Sequence, residues 1–461
     1  MSCAYRVHAR PAQAIRAGTS GARAINEARA AAPPRVANCR HRRGAARAAR
    51  DAPDVAAHGR VHDARLLETV KIVVIGSGLI GLTCAYFLRR RGHEITVIDR
   101  ADGPGRETSF ANGSLLTAGM SEPWNAPGCW RVLLGSLGRS DAALQLRLRA
   151  LPSLAGWGLT FLRNSRPVAF ERNTLSNLRL TLYSLRVLQS LRQQTGIGYG
   201  RSARGSLKIC RDNVDLDRAS AAAARLQSEG LSSRRLSRDE AIELEPALAP
   251  IANALAGGIH YGVDETGDAY RFCVALAEHA RQHGVEFRFR TEVTSLETRS
   301  DAVTAVVCNQ ERFSADRYIV AAASYSTPLL RRVGVHLPVR PAKGYSVTFD
   351  DRQGKPSLTM PVVDDSLHAA IVPLQGAIRV AGTAEFAGFD QTLNPNRIRN
   401  LRQLLQDVLP RGAFDPETAS PWCGLRAMSA DGVPIIGPTP VSNLLVSSGH
   451  GHLGWTMAAG S

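Results

Sequence analysis

The sequence lacks the cysteine patterns that bind metal ions or build disulfide frameworks. Its eight cysteines are scattered, with no C-x-x-C pair and no ligand-like spacing to histidine. Small secreted proteins use closely spaced, paired cysteines, whereas scattered ones favour a reducing compartment. We therefore expect no structural metal and a cytoplasmic location.

The sequence also lacks an apolar run long enough to span a bilayer, which takes about 18 residues or more. The nearest candidate is 72–88, but it contains three glycines, Ser77 and Thr83. Those residues are poor choices for a lipid-facing helix, and a nucleotide-binding turn explains them better. The sequence predicts no transmembrane segment, and its 461 residues leave room for two domains.

Acidic residues are nearly missing from the first 50 residues, which hold eleven arginines, no lysine and one glutamate. This tail carries +10 of the net charge of +17. A nucleic-acid-binding arm would contain lysine and interleaved aromatics, and a transit peptide would be richer in serine, with an amphipathic face. We favour a third interpretation, in which 1–69 is a disordered or spurious extension and the protein starts at Val70. No nucleic-acid partner is predicted.

What the chain does contain is a dinucleotide-binding pattern at 71–100: a β-branched run, G-x-G-x-x-G, a helix and a second strand. Gly76 permits the tight turn, Gly78 lets backbone approach a pyrophosphate, and Gly81 lets the helix pack closely on the strand. The phosphates would lie at the helix N-terminus, where free N–H groups favour negative charge. Asp99 can accept hydrogen bonds from the ribose hydroxyls. The pattern does not distinguish NAD from FAD.

Two further stretches are typical of cofactor loops. Residues 107–128 are dense in Gly, Ser, Asn and Pro, and long irregular segments after a nucleotide motif are commonly functional. Residues 444–461 run from a strand through a glycine turn into a helix, whose N-terminus can stabilise negative charge on a ring oxygen or a phosphate. The predicted cofactor contacts of the first pattern are Val73, Val74, Ile75, Gly76, Ser77, Gly78, Leu79, Ile80, Gly81 and Asp99.

The middle of the chain mixes strands and helices without a repeated βαβ pattern. Amphipathic spacing predicts helices at 172–194, 270–283 and 395–409, and 257–267 is rich in turn residues. Residues 133–162 mix leucine with arginine and tryptophan. For that segment we favour a pair of helices that cover the sheet; the alternative is a basic, aromatic surface resting on a membrane interface.

Several short motifs occur in an order that resembles a known family. They are GSGLIG at 76–81, ETSFANGS at 107–114, PWNAPG at 123–128, DETGD at 264–268, SYST at 324–327, KGYS at 343–346, GLR at 424–426 and GHGHLGWTMA at 449–458. Together they resemble the small subunit of bacterial D-amino acid dehydrogenases, within the D-amino acid oxidase and glycine oxidase group of flavoproteins. The resemblance covers 71–461.

The resemblance implies a non-covalent FAD. Arg426 matches the arginine that grips the substrate carboxylate, and a planar guanidinium suits that task because it donates two parallel hydrogen bonds. Tyr345 could add a hydroxyl to the same carboxylate. His450 and His452 are not expected to bind a metal ion, because no cysteine or carboxylate lies near them in the sequence. The further flavin contacts implied are Ser109, Asn112, Gly449, His450, Gly451 and Gly454.

The sequence departs from the family pattern in three places. Ala427 stands where a proline is usual, and Ser114 stands where a second glycine is common. The family also continues past the point that corresponds to Ser461, and we therefore expect weak retention of the flavin.

The resulting hypothesis is an α/β protein with a Rossmann-like FAD-binding domain assembled from discontinuous segments, plus an α+β substrate domain. It would convert D-amino acids such as D-alanine to 2-oxo acids and ammonia and pass electrons to a membrane quinone or another non-oxygen acceptor, in the cytoplasm or on the inner face of the bacterial membrane. The alternatives are a peroxide-producing amino acid oxidase, a non-catalytic flavin-binding protein and an NAD-dependent dehydrogenase. The FAD-binding domain takes 71–119, 262–334 and 420–461, and the substrate domain takes 120–261 and 335–419.

Overall fold

A computed structural model of the chain describes residues 68–135, 144–309, 311–351, 357–364, 369–410 and 414–461. The extension expected at 1–69 lies outside the described residues except for its last two positions. Part of the segment 133–162 also lies outside them, and its described portion contains a helix at each end with a short strand between.

Helices and strands follow one another closely along the described residues. The helices are α1 (Leu79–Arg90), α2 (Cys129–Gly135), α3 (Leu151–Arg163), α4 (Pro167–Thr195), α5 (Asn213–Gln227), α6 (Arg238–Leu244), α7 (Ala269–Gln282), α8 (Ser326–Arg331), α9 (Pro395–Val408) and α10 (Gly454–Met457). The first ten strands are β1 (Lys71–Ile75), β2 (Glu94–Ile98), β3 (Leu115–Leu116), β4 (Leu144–Leu146), β5 (Ser206–Cys210), β6 (Arg234–Ser237), β7 (Gly257–Tyr261), β8 (Glu265–Thr266), β9 (Glu286–Arg288) and β10 (Val293–Arg299). The others are β11 (Ala302–Cys308), β12 (Glu311–Phe313), β13 (Arg317–Val320), β14 (Val339–Asp350), β15 (Val362–Asp364), β16 (Ala369–Leu374), β17 (Ala377–Phe386), β18 (Ser420–Ser429), β19 (Ile435–Pro438) and β20 (Leu444–Ser448).

Six strands form a mostly parallel sheet in the order β19-β20-β13-β1-β2-β9, in which β19 runs antiparallel to β20. The central strand β1 pairs with β13 on one side and with β2 on the other. It is buried on both faces, which is why its sequence is continuously apolar. The strand order reverses between β1 and β13, and open sheets of this type bind ligands at that point, beyond the carboxyl ends of the strands.

Helix α1 covers this sheet with the face that its apolar residues define. Leu82 and Tyr86 pack in one core with Phe272 and Leu276 of α7. Two arginines lie in the last turn of α1, where positive charge complements the helix dipole. This packing fixes the N-terminus of α1 next to the turn that follows β1.

A larger, mainly antiparallel sheet has the order β18-β14-β17-β16-β15-β5-β7-β6, with β4 added beside β17. Its core side packs on α9, where Leu401 and Leu405 meet Val347 of β14. Strand β18 pairs along most of its length with β14, so Arg426 lies opposite Ala342. This sheet therefore determines where Arg426 is presented.

The turn-rich interpretation of 257–267 is wrong, because β7 and β8 occupy most of this range. Strand β7 pairs with both β5 and β6. A Cβ at Gly258 would lie 2.6 Å from the carbonyl oxygen of Lys208, so the glycine serves close strand packing. Among the described residues, no helix is long and apolar enough to cross a bilayer.

Candidate active site

The turn that follows β1 packs closely against neighbouring backbone atoms. Gly76 has a φ of +109°, and a Cβ there would lie 2.6 Å from the carbonyl oxygen of Ala321. A Cβ at Gly81 would lie 1.8 Å from the carbonyl oxygen of Gly76. Side chains are therefore excluded at both positions, as the tight turn and the close packing of α1 on β1 require.

Asp99 faces the same turn from the end of β2. Its Oδ2 accepts hydrogen bonds from the backbone N–H and the hydroxyl of Ser77, at 2.6 and 2.7 Å. Its Oδ1 accepts from the N–H of Ala101 at 2.9 Å. A carboxylate that accepts hydrogen bonds from N–H and O–H groups at this edge of the sheet is also suited to accept them from ribose hydroxyls.

The loop that follows β2 supplies the next part of the site. Ser109 Oγ accepts a hydrogen bond from the N–H of Leu79 at 3.3 Å, in the first turn of α1. Asn112 Oδ1 accepts from the N–H of Ser114 at 2.9 Å. Ser114 has a φ of +51°, which glycine adopts at lower cost, and its hydroxyl accepts from Arg379 at 2.7 Å. The serine at this position is thus anchored by its side chain.

Two cavities meet at this loop. The outer cavity is lined by Gly76 and Asp99, and the inner cavity, with a volume of about 190 Å³, is lined by Arg426. The residues that line both are Gly78, Thr108, Ser109, Ala321 and Ala323. The two cavities therefore adjoin, and together they form a cleft at the carboxyl ends of β1 and β13.

The structure places most of the predicted cofactor contacts on this cleft. Those that line it are Ile75, Gly76, Gly78, Leu79, Ile80, Asp99, Ser109, Asn112, Gly449, His450, Gly451 and Gly454. Val73, Val74, Ser77 and Gly81 do not line it, and the first two are buried in the sheet. The part that each residue plays in cofactor binding stays a prediction.

A second glycine turn follows β20 and borders the inner cavity. Gly449 and Gly451 have φ values of +82° and +58°. His450 between them is buried, with Nε2 3.0 Å from the hydroxyl of Ser461. Burial lowers the pKa of His450 to about 4, so it is neutral at pH 7. The described part of the chain contains no group of three or more His, Cys, Asp or Glu side chains that could hold a metal ion.

Arg426 is the sole arginine or lysine among the described residues that line the inner cavity. Burial lowers its pKa to about 10, so it remains a cation at neutral pH. Its Nη1 donates to the carbonyl oxygen of Thr383 at 3.3 Å, and no carboxylate of the described residues pairs with it. A cation without a carboxylate partner at a cavity wall is suited to bind an anionic group of a ligand.

Tyr345 also lines the inner cavity, but its hydroxyl is engaged inside the protein. It donates to Oε2 of Glu385 at 2.6 Å. Burial, and then this hydrogen bond, raise the pKa of Tyr345. Glu385 is fully buried and is also paired with Arg147 and with Lys343. The binding of a substrate carboxylate by Tyr345 stays a prediction.

Trp124, which sequence reasoning did not single out, lines the inner cavity together with His452, for which a role in the flavin loop was expected. Their rings stack with centroids 5.8 Å apart, and the guanidinium carbon of Arg426 lies 5.7 Å from the centroid of Trp124. His452 Nε2 donates to the carbonyl oxygen of Met120 at 2.9 Å, and burial is the main cause that lowers its pKa to about 3. The available signal was the pair of motifs PWNAPG and GHGHLGW, which the fold brings together.

These residues fit FAD. Two glycine turns border the cleft, at positions suited to a pyrophosphate and to a polar ring. The buried hydroxyl of Ser447 lines the inner cavity and has no hydrogen-bond partner among the described residues. Buried polar groups are normally paired, so an unpaired one at a cavity wall indicates a place for a ligand.

The fold and the site define a flavin-dependent oxidoreductase. The profile of the family described as FAD dependent oxidoreductase matches residues 71–461, and the chain belongs to that family. The predicted fold class, cofactor and enzyme class are confirmed.

Two relatives are named D-amino acid dehydrogenase, which confirms the resemblance. The protein of Vibrio atlanticus (strain LGP32) is 39% identical over 392 residues, covering 85% of this chain and 94% of the relative. The protein of Paramagnetospirillum magneticum (strain ATCC 700264 / AMB-1) is 42% identical over 397 residues, covering 85% and 93%. Among solved structures, L-proline dehydrogenase from P. horikoshii is similar with a TM-score of 0.66 and 18% identity, covering 85% of this chain and 91% of that one. At that identity the likeness concerns the fold alone.

Proposed function

We propose that this protein oxidises D-amino acids such as D-alanine to 2-oxo acids and ammonia and passes the electrons to a quinone or another acceptor that is not oxygen. The observation that carries the proposal is Arg426, a cation without a carboxylate partner on a cavity continuous with the glycine turn of β1. Relatives that are about 40% identical and bear the name D-amino acid dehydrogenase support it.

The chain would hold FAD along the cleft and leave the inner cavity to the substrate. When bound, FAD supplies the two-electron chemistry at the substrate α-carbon, and the protein supplies orientation and electrostatics. The residues proposed to hold it are those of the first glycine turn and Asp99, with Ser109, Asn112, Gly449, His450, Gly451 and Gly454.

Arg426 would fix the substrate by its carboxylate. Apart from the bond to Thr383, its N–H groups make no hydrogen bond with described residues, so they can donate to two carboxylate oxygens. No Asp, Glu or Lys among the described residues lines the inner cavity, and His450 and His452 are held neutral. The chain thus offers no strong base there, and the substrate would react with its amine already neutral.

We propose the same domain division as the sequence suggests. The parallel sheet, built from segments of 71–119, 262–334 and 420–461, would bind FAD, and the large antiparallel sheet would roof the inner cavity. Strand β18, at the start of 420–461, belongs to the large sheet, in which it pairs with β14. Arg426 would therefore act at the junction of the two sheets.

A membrane contact through α3 and the start of α4 is part of the proposal. Leu159 and Val168 are 73% and 82% exposed, and helical spacing places Leu151 and Leu162 on the same side of α3 as Leu159. Residues 144–170 contain four arginines and no acidic residue. Exposed leucines framed by arginine fit the interface of an anionic bilayer, where a quinone acceptor would be found. The protein would then lie on the inner face of the bacterial cytoplasmic membrane.

The decisive experiment records the visible spectrum of the purified full-length protein with FAD, before and after D-alanine is added without oxygen. The proposal expects a flavin spectrum that D-alanine bleaches and L-alanine does not, and that a quinone analogue restores. Rapid peroxide formation in air would instead indicate an oxidase. A flavin that no amino acid bleaches would indicate a non-catalytic flavin-binding protein.

A further inference from the structure

Thr383 has an unusual backbone for a residue inside a strand. Its φ is +54°, and it alone is β-branched among the six non-glycine residues with positive φ in the described ranges. Branching at Cβ makes this conformation costly. The hydroxyl is buried without a hydrogen-bond partner among the described residues, so the side chain does not compensate. Such outliers persist where the surrounding structure enforces them, frequently at functional sites.

A β-bulge between β14 and β17 produces this conformation. Gly344 pairs with Ala384 and Tyr345 pairs with Gly382, which leaves Thr383 without a partner on β14. The other edge of β17 changes partner at the same point, because Gly382 pairs with β16 and Ala384 pairs with β4. Bulges of this kind re-aim groups next to active sites.

The group that this bulge aims is the carbonyl of Thr383, which accepts the hydrogen bond from Nη1 of Arg426 at 3.3 Å. The guanidinium also lies directly over the backbone of Gly344. A Cβ at Gly344 would be only 2.4 Å from both Cζ and Nη1 of Arg426. The carbonyl of Thr383 and the space left by the missing side chain at Gly344 together fix the position of the guanidinium.

We propose that Thr383 and Gly344 are positioning residues that hold the guanidinium of Arg426 in the orientation in which it binds the substrate carboxylate. The inference rests on the proposed function, because it concerns the same site. In a regular antiparallel ladder, carbonyls point along the interstrand hydrogen bonds. Without the bulge, Arg426 would lose its fixed acceptor, and its long side chain would sample several rotamers.

The test measures the binding of propanoate, a carboxylate without an amino group, to the FAD-loaded full-length protein by the change in flavin absorbance. Deletion of Thr383 removes the extra residue and allows Gly382 and Ala384 to pair regularly with β14. We expect the Kd for propanoate and the KM for D-alanine to rise about tenfold, as for the loss of one charge-assisted hydrogen bond. We expect kcat to fall less than KM rises.

Gly344→Ala is an independent variant in case the deletion does not fold. The added methyl meets the far end of a flexible side chain, so the guanidinium moves while the backbone stays. It should weaken propanoate binding in the same direction. Thr383→Gly is the conservative variant, because glycine keeps both the left-handed backbone and the carbonyl. This variant should keep most of the affinity for propanoate that the deletion variant loses.

The control is the Arg426→Met background, in which neither the deletion nor Gly344→Ala should change the remaining affinity. Unchanged propanoate binding in both variants, or an equal further loss in the Arg426→Met background, would overturn the positioning role. A different result would contradict the proposed function itself: D-alanine would fail to bleach the flavin of the wild-type protein.

Discussion

Ser77 and Asp99 are joined by two hydrogen bonds, which tie the first glycine turn to the end of β2. Both oxygens of the carboxylate accept from donors, because Oδ1 also binds the N–H of Ala101. An amide at position 99 would have to turn its NH₂ group toward one of these donors. The hydrogen bonds within the protein therefore favour an aspartate at position 99, as does the ribose that Asp99 is proposed to bind.

We expect Asp99→Asn to weaken FAD binding about tenfold, equivalent to about 1–2 kcal/mol for the loss of hydrogen bonds to a charged acceptor. The measurement is the recovery of flavin fluorescence as FAD is released on dilution. Asp102→Asn is the matched control, since that carboxylate is exposed and pairs only with Arg106 among the interactions described. Equal affinity in the Asp99 variant and the control would contradict the assignment.

Arg426→Met should lower kcat/KM for D-alanine by about 10²–10³, because the substrate carboxylate loses two charge-assisted hydrogen bonds. Arg426→Lys keeps the charge but not the planar fork and should lose less. Steady-state kinetics with a dye acceptor, at a measured flavin content, check both. An Arg426→Met enzyme with wild-type KM would place the carboxylate elsewhere.

Tyr345→Phe separates two roles of one hydroxyl. Because the hydroxyl donates to buried Glu385, its removal should lower the free energy of unfolding by about 1–3 kcal/mol. Urea unfolding followed by far-UV circular dichroism measures this loss. A rise in KM for D-alanine beyond about threefold would show in addition that the hydroxyl contacts the substrate.

We expect the ionisation of Asp264 to lower the free energy of unfolding as pH rises. It is fully buried, and burial raises its pKa to about 6, although it accepts hydrogen bonds from the N–H of Ala118 and the hydroxyl of Ser206. A carboxyl group whose pKa is higher in the folded state than in the unfolded state stabilises the folded state when it is protonated. This contribution has its full value below about pH 4. Between about pH 4 and 6 this contribution, of the order of 3 kcal/mol, is lost.

Asp264→Asn removes that ionisation while keeping the shape of the side chain. The difference in unfolding free energy between wild type and variant should therefore shift in favour of the variant as pH rises from 4 to 7. Urea titrations at four pH values measure it. Parallel stability curves for the two proteins would mean that Asp264 titrates alike in the folded and unfolded states.

Leu159→Glu should reduce binding to anionic vesicles about tenfold, because it replaces an exposed apolar side chain by a charge repelled by the lipid. Co-sedimentation with phosphatidylglycerol vesicles measures it. Val214→Glu is the matched control, since Val214 is 67% exposed on α5, away from the arginine-rich segment. Equal binding by both variants would contradict a membrane contact through α3.

Local sequence patterns were sufficient to predict the half of the candidate site that is proposed to bind the nucleotide. The strand and helix at 71–90, the glycine spacing and Asp99 follow from interactions between residues close in the chain, and the structure has β1, α1 and β2 nearly where the pattern predicts them. Steric rules at glycine and the electrostatics of a helix N-terminus act between residues close in the chain, so the sequence pattern alone indicates such a unit.

The half of the candidate site that is proposed to bind the substrate depends on contacts between distant segments of the chain. The contacts of Arg426 with Trp124, Gly344 and Thr383 join segments that are far apart in the chain. The bulge at Thr383 lies where one edge of β17 changes its partner from β16 to β4. No local pattern encodes such a register. The same reason explains Gly257 and Gly258, which resemble turn residues in the sequence but serve close strand pairing in the sheet.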